Sequence, residues 1–213
     1  NAEFHPLLRN ILQPIKTKLL EPLIAIFDDE VATGAERVSA ANALADYARD
    51  DIPRLLRLLL KANVEQYRIL FPLVEGHTDA GLLQPLRDIV AQQPGDDWDE
   101  AQRVTLGRQR AGAAITLLRL GNRLAVLEAL KVNTDMESIS QFAVGCKDRS
   151  VSAVDLLALW DEVEQIRQKN EGNERKLADR MLYGVLVTLG SYSLESLPLE
   201  QRLVRTEQLV AMY

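Results

Sequence analysis

Apolar residues recur at steps of three and four along almost the whole chain, and no stretch shows the two-residue alternation of a half-buried strand. The pattern divides into short amphipathic segments. Leu7–Leu12 and Ile15–Phe27 read as helices whose limits are set by Pro14 and Pro22, because proline fits a first turn and breaks an interior. Asp28-Asp29-Glu30 follows as a solvated connector. Between Ala35 and Arg49, Val38, Ala41, Ala45 and Ala48 share a face with Leu44 beside them. Asp50-Asp51 favours a new start, Pro53 suits its first turn, and Leu55, Leu56, Leu59 and Leu60 form the side to be buried. Asn63 is placed to cap a segment carrying Val64, Tyr67, Leu70, Phe71 and Val74, which Pro72 should kink or end and Gly76 should stop.

Asp79 is positioned to cap a helix with Leu82, Leu83, Leu86, Ile89 and Val90, closed by Pro94-Gly95. The longest clean helix is expected over 99–120, with Gly121 at its C-terminal end. Its small run Ala111-Gly112-Ala113-Ala114 would let a neighbouring helix approach closely. Asn122–Leu130 supplies a short partner through Leu124, Val126, Leu127 and Leu130. Met136, Ile139, Phe142, Ala143 and Cys146 continue the pattern, as do Val154, Leu157, Trp160 and Val163 within Val151–Ile166. Lys169–Lys176 reads as a polar linker containing Gly172. A further helix carries Leu177, Met181, Leu182, Val185 and Leu189 up to Gly190, a turn spans Ser191–Pro198, and a last helix begins at Leu199 and runs to Tyr213. Helices of this length, paired by short loops at intervals of about 25 to 45 residues, point to an all-α solenoid of helical hairpins over 1–213 as a single domain, with a globular all-α fold as the alternative.

Composition narrows the partners. With 213 residues, 47% of them hydrophobic and 26% charged, the chain has the makeup of a folded domain. Its net charge of −6 and isoelectric point near 5.1 suit neither nucleic acid nor an anionic membrane surface, so neither is an expected partner. One cysteine precludes an internal disulfide, and two histidines leave few soft-metal ligands. No signal-peptide pattern or membrane-spanning run is present, which makes a cytoplasmic location the expectation. Asn1-Ala2 reads as a remnant of tag removal, and the apolar pattern continuing to Tyr213 suggests a piece of a longer polypeptide.

The stretch VSAANALADYARDDIPRLLRLLLKANVEQYRILFPLVE, Val38–Glu75, resembles HEAT-like (armadillo-type) repeat segments of planctomycete bacterial proteins. The likeness rests on the ANALADYA and QYRILFPLVE runs and resumes in RQRAGAAITLLRLGNRLAVLEAL, Arg108–Leu130. Beyond about Asn133 the chain departs from that pattern. In the family such segments accompany serine/threonine protein kinase domains, sulfatase-modifying-factor (formylglycine-generating-like) domains, or both. The resemblance implies a non-catalytic repeat module that spaces or docks those domains, with a protein partner or flanking domains of the same chain as its ligands and no cofactor. This chain has no glycine-rich phosphate loop, HRD catalytic loop or DFG motif, so kinase chemistry would lie outside it.

The remaining candidates for chemistry are few. Asp96, Asp97, Asp99 and Glu100 around Trp98 form the densest carboxylate cluster, but their spacing fits a solvated loop with a capping aspartate better than a hard-cation site. His5 and His77 lack ligand spacing. Cys146, beside Lys147 and Arg149, is either a small core residue or a thiol activated by those cations. Arg54, Arg57 and Lys61 share a helical face, and Arg103, Arg110 and Arg119 recur along another; together they are a candidate partner-binding ridge. Two other readings stay open. One is a HEAT-like DNA-binding or alkylpurine DNA glycosylase-type enzyme using Trp98, Trp160 and Asp161, which the acidic balance disfavours. The other is a regulatory subunit whose uncapped C-terminal helix pairs with a second copy.

Overall fold

The computed structural model describes residues 11–77, 79–130 and 137–202, together with 204 and 207. Among these residues there is no β-strand, and ten α-helices follow one another between Lys16 and Leu189. They are α1 (Lys16–Asp28), α2 (Gly34–Tyr47), α3 (Ile52–Lys61), α4 (Val64–Val74), α5 (Ala80–Ala91), α6 (Glu100–Arg119), α7 (Arg123–Leu130), α8 (Glu137–Asp148), α9 (Ala153–Lys169) and α10 (Gly172–Leu189). Single 3₁₀ turns occupy Gln13–Ile15 and Leu194–Ser196, and residues 199–202 are helical, as expected for a helix starting at Leu199. The Leu7–Leu12 segment, Met136 and the end of the last helix fall wholly or partly outside the described residues.

Contacts separate the chain into two compact units, Asn1–Pro85 and Leu86–Tyr213, with the boundary inside α5 at a residue that has no backbone N–H. In the first unit α1 packs on α2, α3 on α4, and α2 on α4. Its core contains Phe27, Leu44, Leu55, Leu59, Tyr67, Leu70 and Phe71, with the rings of Tyr67 and Phe71 stacked 5.3 Å apart at one helical turn's spacing. In the second unit α6 packs on α7 and α8, α9 on α10, and α10 on α7 and α8. Every residue of α6 from Arg110 to Leu118 is buried, so this helix is wrapped by its neighbours. Close approach occurs where glycine permits it: a Cβ on Gly145 of α8 would lie 2.7 Å from Ile115 Cδ1, and one on Gly184 of α10 would lie 3.1 Å from Leu130 Cδ2.

Helix starts follow local chemistry. Asp51 caps α3, and reciprocal capping boxes open α2 (Thr33 with Glu36), α4 (Asn63 with Gln66), α6 (Asp99 with Gln102) and α9 (Ser152 with Asp155). Asp79 Oδ1 accepts from Gly81 N–H at the start of α5. The α6 terminus is a Schellman motif: Gly121 has φ +78°, its N–H donates to Leu118 O, and Asn122 N–H donates to Leu117 O. The same motif ends α8, where Ser150 takes the left-handed position at φ 59° and Val151 N–H donates to Cys146 O.

Several expectations need correction, among them the buried side of α3, which takes in Leu58 and leaves Leu60 half-buried. Pro22 does not bound a helix but lies inside α1, where the missing N–H costs one bond to Lys18 and packing of the helix on α2 offsets it. The supposed linker Lys169–Lys176 is helical apart from Asn170 and Glu171. Lys169, Glu174, Arg175 and Lys176 are exposed helix formers, and Glu174 in the first turn favours the positive end of α10. The buried stripe of α2 runs through Ala40, Ala41, Ala43, Leu44, Tyr47 and the C-cap Ala48, leaving Val38 and Ala45 half-buried, because the helix turns its two largest apolar side chains inward. Leu124 and Val154, each within the first two residues of its helix, point to solvent rather than to the core.

Candidate functional site

The acidic loop and the first half of α6 together form an open cleft of about 340 Å³ in the second unit. Asp99 closes the loop onto the helix: its Oδ1 accepts from Gln102 N–H at 2.8 Å, and Gln102 Oε1 accepts from Asp99 N–H at 3.0 Å. Trp98 N–H donates to Gly95 O, and the indole edge lies so close to Gly95 that a Cβ there would sit 2.7 Å from two of its atoms. Only glycine fits under that ring. Arg103 Nε donates to Trp98 O at 3.2 Å, which ties the loop to the next turn of the helix.

Trp98 and Gln92 line the cleft on the loop side, and Gln102, Thr105 and Gln109 line it from one face of α6, above the buried side chain of Leu106. Amide side chains can donate and accept at once. Thr105 spends its hydroxyl proton on Ala101 O, leaving its oxygen as an acceptor. The cleft therefore offers hydrogen bonds of both kinds, an aromatic surface and the Asp99 carboxylate, with Asp96, Asp97 and Glu100 beside these residues in sequence. Of the carboxylates, Asp99 is engaged as a cap, while Asp96, Asp97 and Glu100 are exposed.

The residues of the expected basic ridge come from both units. Arg54, Arg57 and Lys61 lie on α3 in the first unit; Arg54 pairs with Asp51 at 3.5 Å and Lys61 with Asp28 at 2.6 Å, while Arg57 is exposed. Arg103, Arg110 and Arg119 lie on α6 in the second unit. Arg110 is only 2% exposed, with Nε donating to Val90 O at 3.0 Å, so it belongs to the core. Arg119, nine residues and about two and a half turns farther on, faces the other way and donates to Arg149 O at 3.2 Å. These three guanidinium groups bond backbone carbonyls, a structural use that arginine's many donors allow.

Cys146 is fully buried, and burial pushes its thiol far above the usual range against a weaker opposing pull from Arg149. The neighbouring cations do not activate it, because desolvation of the thiolate outweighs them. His77 is exposed in the turn after α4, and His5 lies outside the described residues. Trp160 is buried and so is not presented as a stacking surface, whereas Asp161 beside it in sequence is exposed. Sequence reading singled out Trp98 and its carboxylates but missed Gln92, Gln102, Thr105 and Gln109. The seven-residue step from Gln102 to Gln109, two helical turns, was the available signal.

No family model, curated protein or solved structure matches this chain.

Proposed function

We propose that the chain is a non-catalytic helical-repeat scaffold of the HEAT type, serving as a protein-interaction module. In this reading it comes from a larger, protein-kinase-related bacterial protein and spaces or docks that protein's catalytic domains. The observation that carries the reading is the packing order. Successive helices joined by at most five residues pack on each other in four pairs: α1 with α2, α3 with α4, α6 with α7, and α9 with α10. Next-but-one helices also touch, as α2 does α4, α6 does α8, α8 does α10 and α7 does α9. Contacts of both kinds are what two-row stacking of helical hairpins requires. The resemblance of Val38–Glu75 and Arg108–Leu130 to HEAT-like segments points the same way. Polar side chains in the core serve the backbone: Gln66, Arg110, Thr116 and Thr188 each hydrogen-bond a main-chain carbonyl.

The test is to identify a protein retained by the immobilised chain, purify it, and measure binding by calorimetry with hydrogen-exchange mapping of the protected helices. Saturable binding that protects helix surfaces and leaves the partner chemically unchanged is the expected result. Saturable turnover of a substrate by the isolated chain would overturn the reading. Retention of plain or methylated duplex DNA at low salt would favour the DNA-binding alternative.

A further inference from the structure

We propose that the cleft between the acidic loop and α6 receives an arginine or lysine side chain presented on an extended segment of a partner polypeptide. The inference rests on the interaction-module reading and names the chemistry of the partner. At about 340 Å³ the cleft is near the lower end of the size of ligand pockets, suited to one or two residues rather than a large cofactor.

Three features select the occupant. The first is the amide lining: Gln92, Gln102 and Gln109 match the paired N–H and C=O groups of a peptide main chain. Gln102 has its Oε1 committed to Asp99 N–H, so it contributes its NH₂ group as donor, and the Thr105 oxygen is left to accept. The second is Trp98, whose indole can hold a cation against its ring. The third is charge: residues 92–109 carry four carboxylates (Asp96, Asp97, Asp99 and Glu100) against two arginines (Arg103 and Arg108). The acidic residues gather at the Trp98 end; Arg103, tied through Nε to Trp98 O, brings one positive charge to that end and leaves the carboxylates in excess. The positive end of the α6 dipole opposes a cation there with about half a charge, which Asp99 and Glu100 at the helix start more than offset. An acidic or neutral segment would gain nothing from that excess of carboxylates.

The site is also held in shape before any ligand arrives. The capping box, the Gly95–Trp98 contact and the Arg103 bond fix the loop, so little entropy remains to be lost on binding.

The experiment uses the blocked peptides acetyl-Gly-Gly-Arg-Gly-Gly-amide and acetyl-Gly-Gly-Glu-Gly-Gly-amide, titrated into the chain while tryptophan emission is followed. Trp98 and Trp160 are the two tryptophans, and Trp160 is buried, so a response to the peptide reports on Trp98. Saturable binding of the arginine peptide, no binding of the glutamate peptide, and weakening by added salt are expected. Calorimetry on Trp98→Ala should show about five- to tenfold weaker binding, the size of a partly desolvated cation–π contact. Gln109→Ala, which leaves the loop contacts intact, should weaken binding severalfold while keeping the wild-type circular dichroism. Equal binding of both peptides, no saturation by either, or unchanged affinity in both variants would overturn the proposal. If a purified protein partner binds the double variant Trp98→Ala/Gln109→Ala as tightly as the wild type, this inference fails while the interaction-module reading stands. Failure of the chain to bind any purified protein, with the arginine peptide still bound, would sink the broader reading instead.

Discussion

Gln66→Met should destabilise the first unit far more than its conservative shape suggests. Gln66 is fully buried on α4, and its amide serves two backbone groups at once. Nε2 donates to Phe27 O at 2.8 Å, and Oε1 accepts from Asn63 N–H at 2.9 Å. Phe27 lies in the last turn of α1, where carbonyls have no partner within the helix, and Asn63 is the cap of α4. Methionine keeps the volume but satisfies neither group. Each abandoned buried donor or acceptor costs about 1–3 kcal/mol, so the two together should cost roughly 2–6 kcal/mol. Urea unfolding followed by circular dichroism gives the magnitude, and native-state hydrogen exchange over residues 64–74 shows where it acts. Gln66→Glu sharpens the test. An ionised carboxylate could still accept from Asn63 but would face the Phe27 carbonyl with no proton to donate, so its pKa in the fold must rise. Stability of that variant should then be best below the ordinary carboxylate pKa and fall as pH rises through the raised value. A Gln66→Met variant within about 0.5 kcal/mol of wild type, the range of ordinary surface changes, would refute the reasoning, as would a Gln66→Glu variant with no added pH dependence.

Ser150→Gly should stabilise the chain by about 1 kcal/mol, because Ser150 holds a left-handed conformation that glycine adopts without steric cost, and Ser150→Ala should bring no such gain; urea midpoints decide between them. Gly145→Val should cost about 1–3 kcal/mol by driving α8 against Ile115, visible as a lowered melting temperature, whereas a neutral result would mean that the two helices are looser than their packing implies. Cys146 should resist alkylation in the native chain at pH 8 and react quickly in urea, since burial keeps its thiol protonated; rapid native labelling would contradict that. The Glu36 carboxyl is held below its usual pKa by hydrogen bonds from Thr33, first from the backbone N–H and then from the hydroxyl. Its contribution is therefore present above the unfolded-state pKa and lost as pH falls through the folded one, so the stability gap between wild type and Glu36→Gln should close on acidification, as urea midpoints at pH 7 and pH 3 would show.

The all-helical class, most helix positions and several caps were written in the sequence by itself, because helical periodicity, capping hydrogen bonds and left-handed termini are local and depend on residues within a few positions of each other. Asn63, Asp51 and Gly121 could be placed that way, and Trp98 with its carboxylates stood out as a cluster. Thr33-Glu36 and Ser152-Asp155 are equally local capping signals. What the tertiary structure alone decided is how each polar side chain is used. Arg103, Arg110 and Arg119 look alike in sequence, yet one latches a loop, one is buried against Val90 O and one bonds Arg149 O. Gln66 reads as an ordinary surface amide until Phe27, 39 residues away, is brought to it. Burial of Cys146 likewise reverses what its basic neighbours would suggest. Desolvation and long-range hydrogen bonding depend on which segments meet, and no local spacing carries that information.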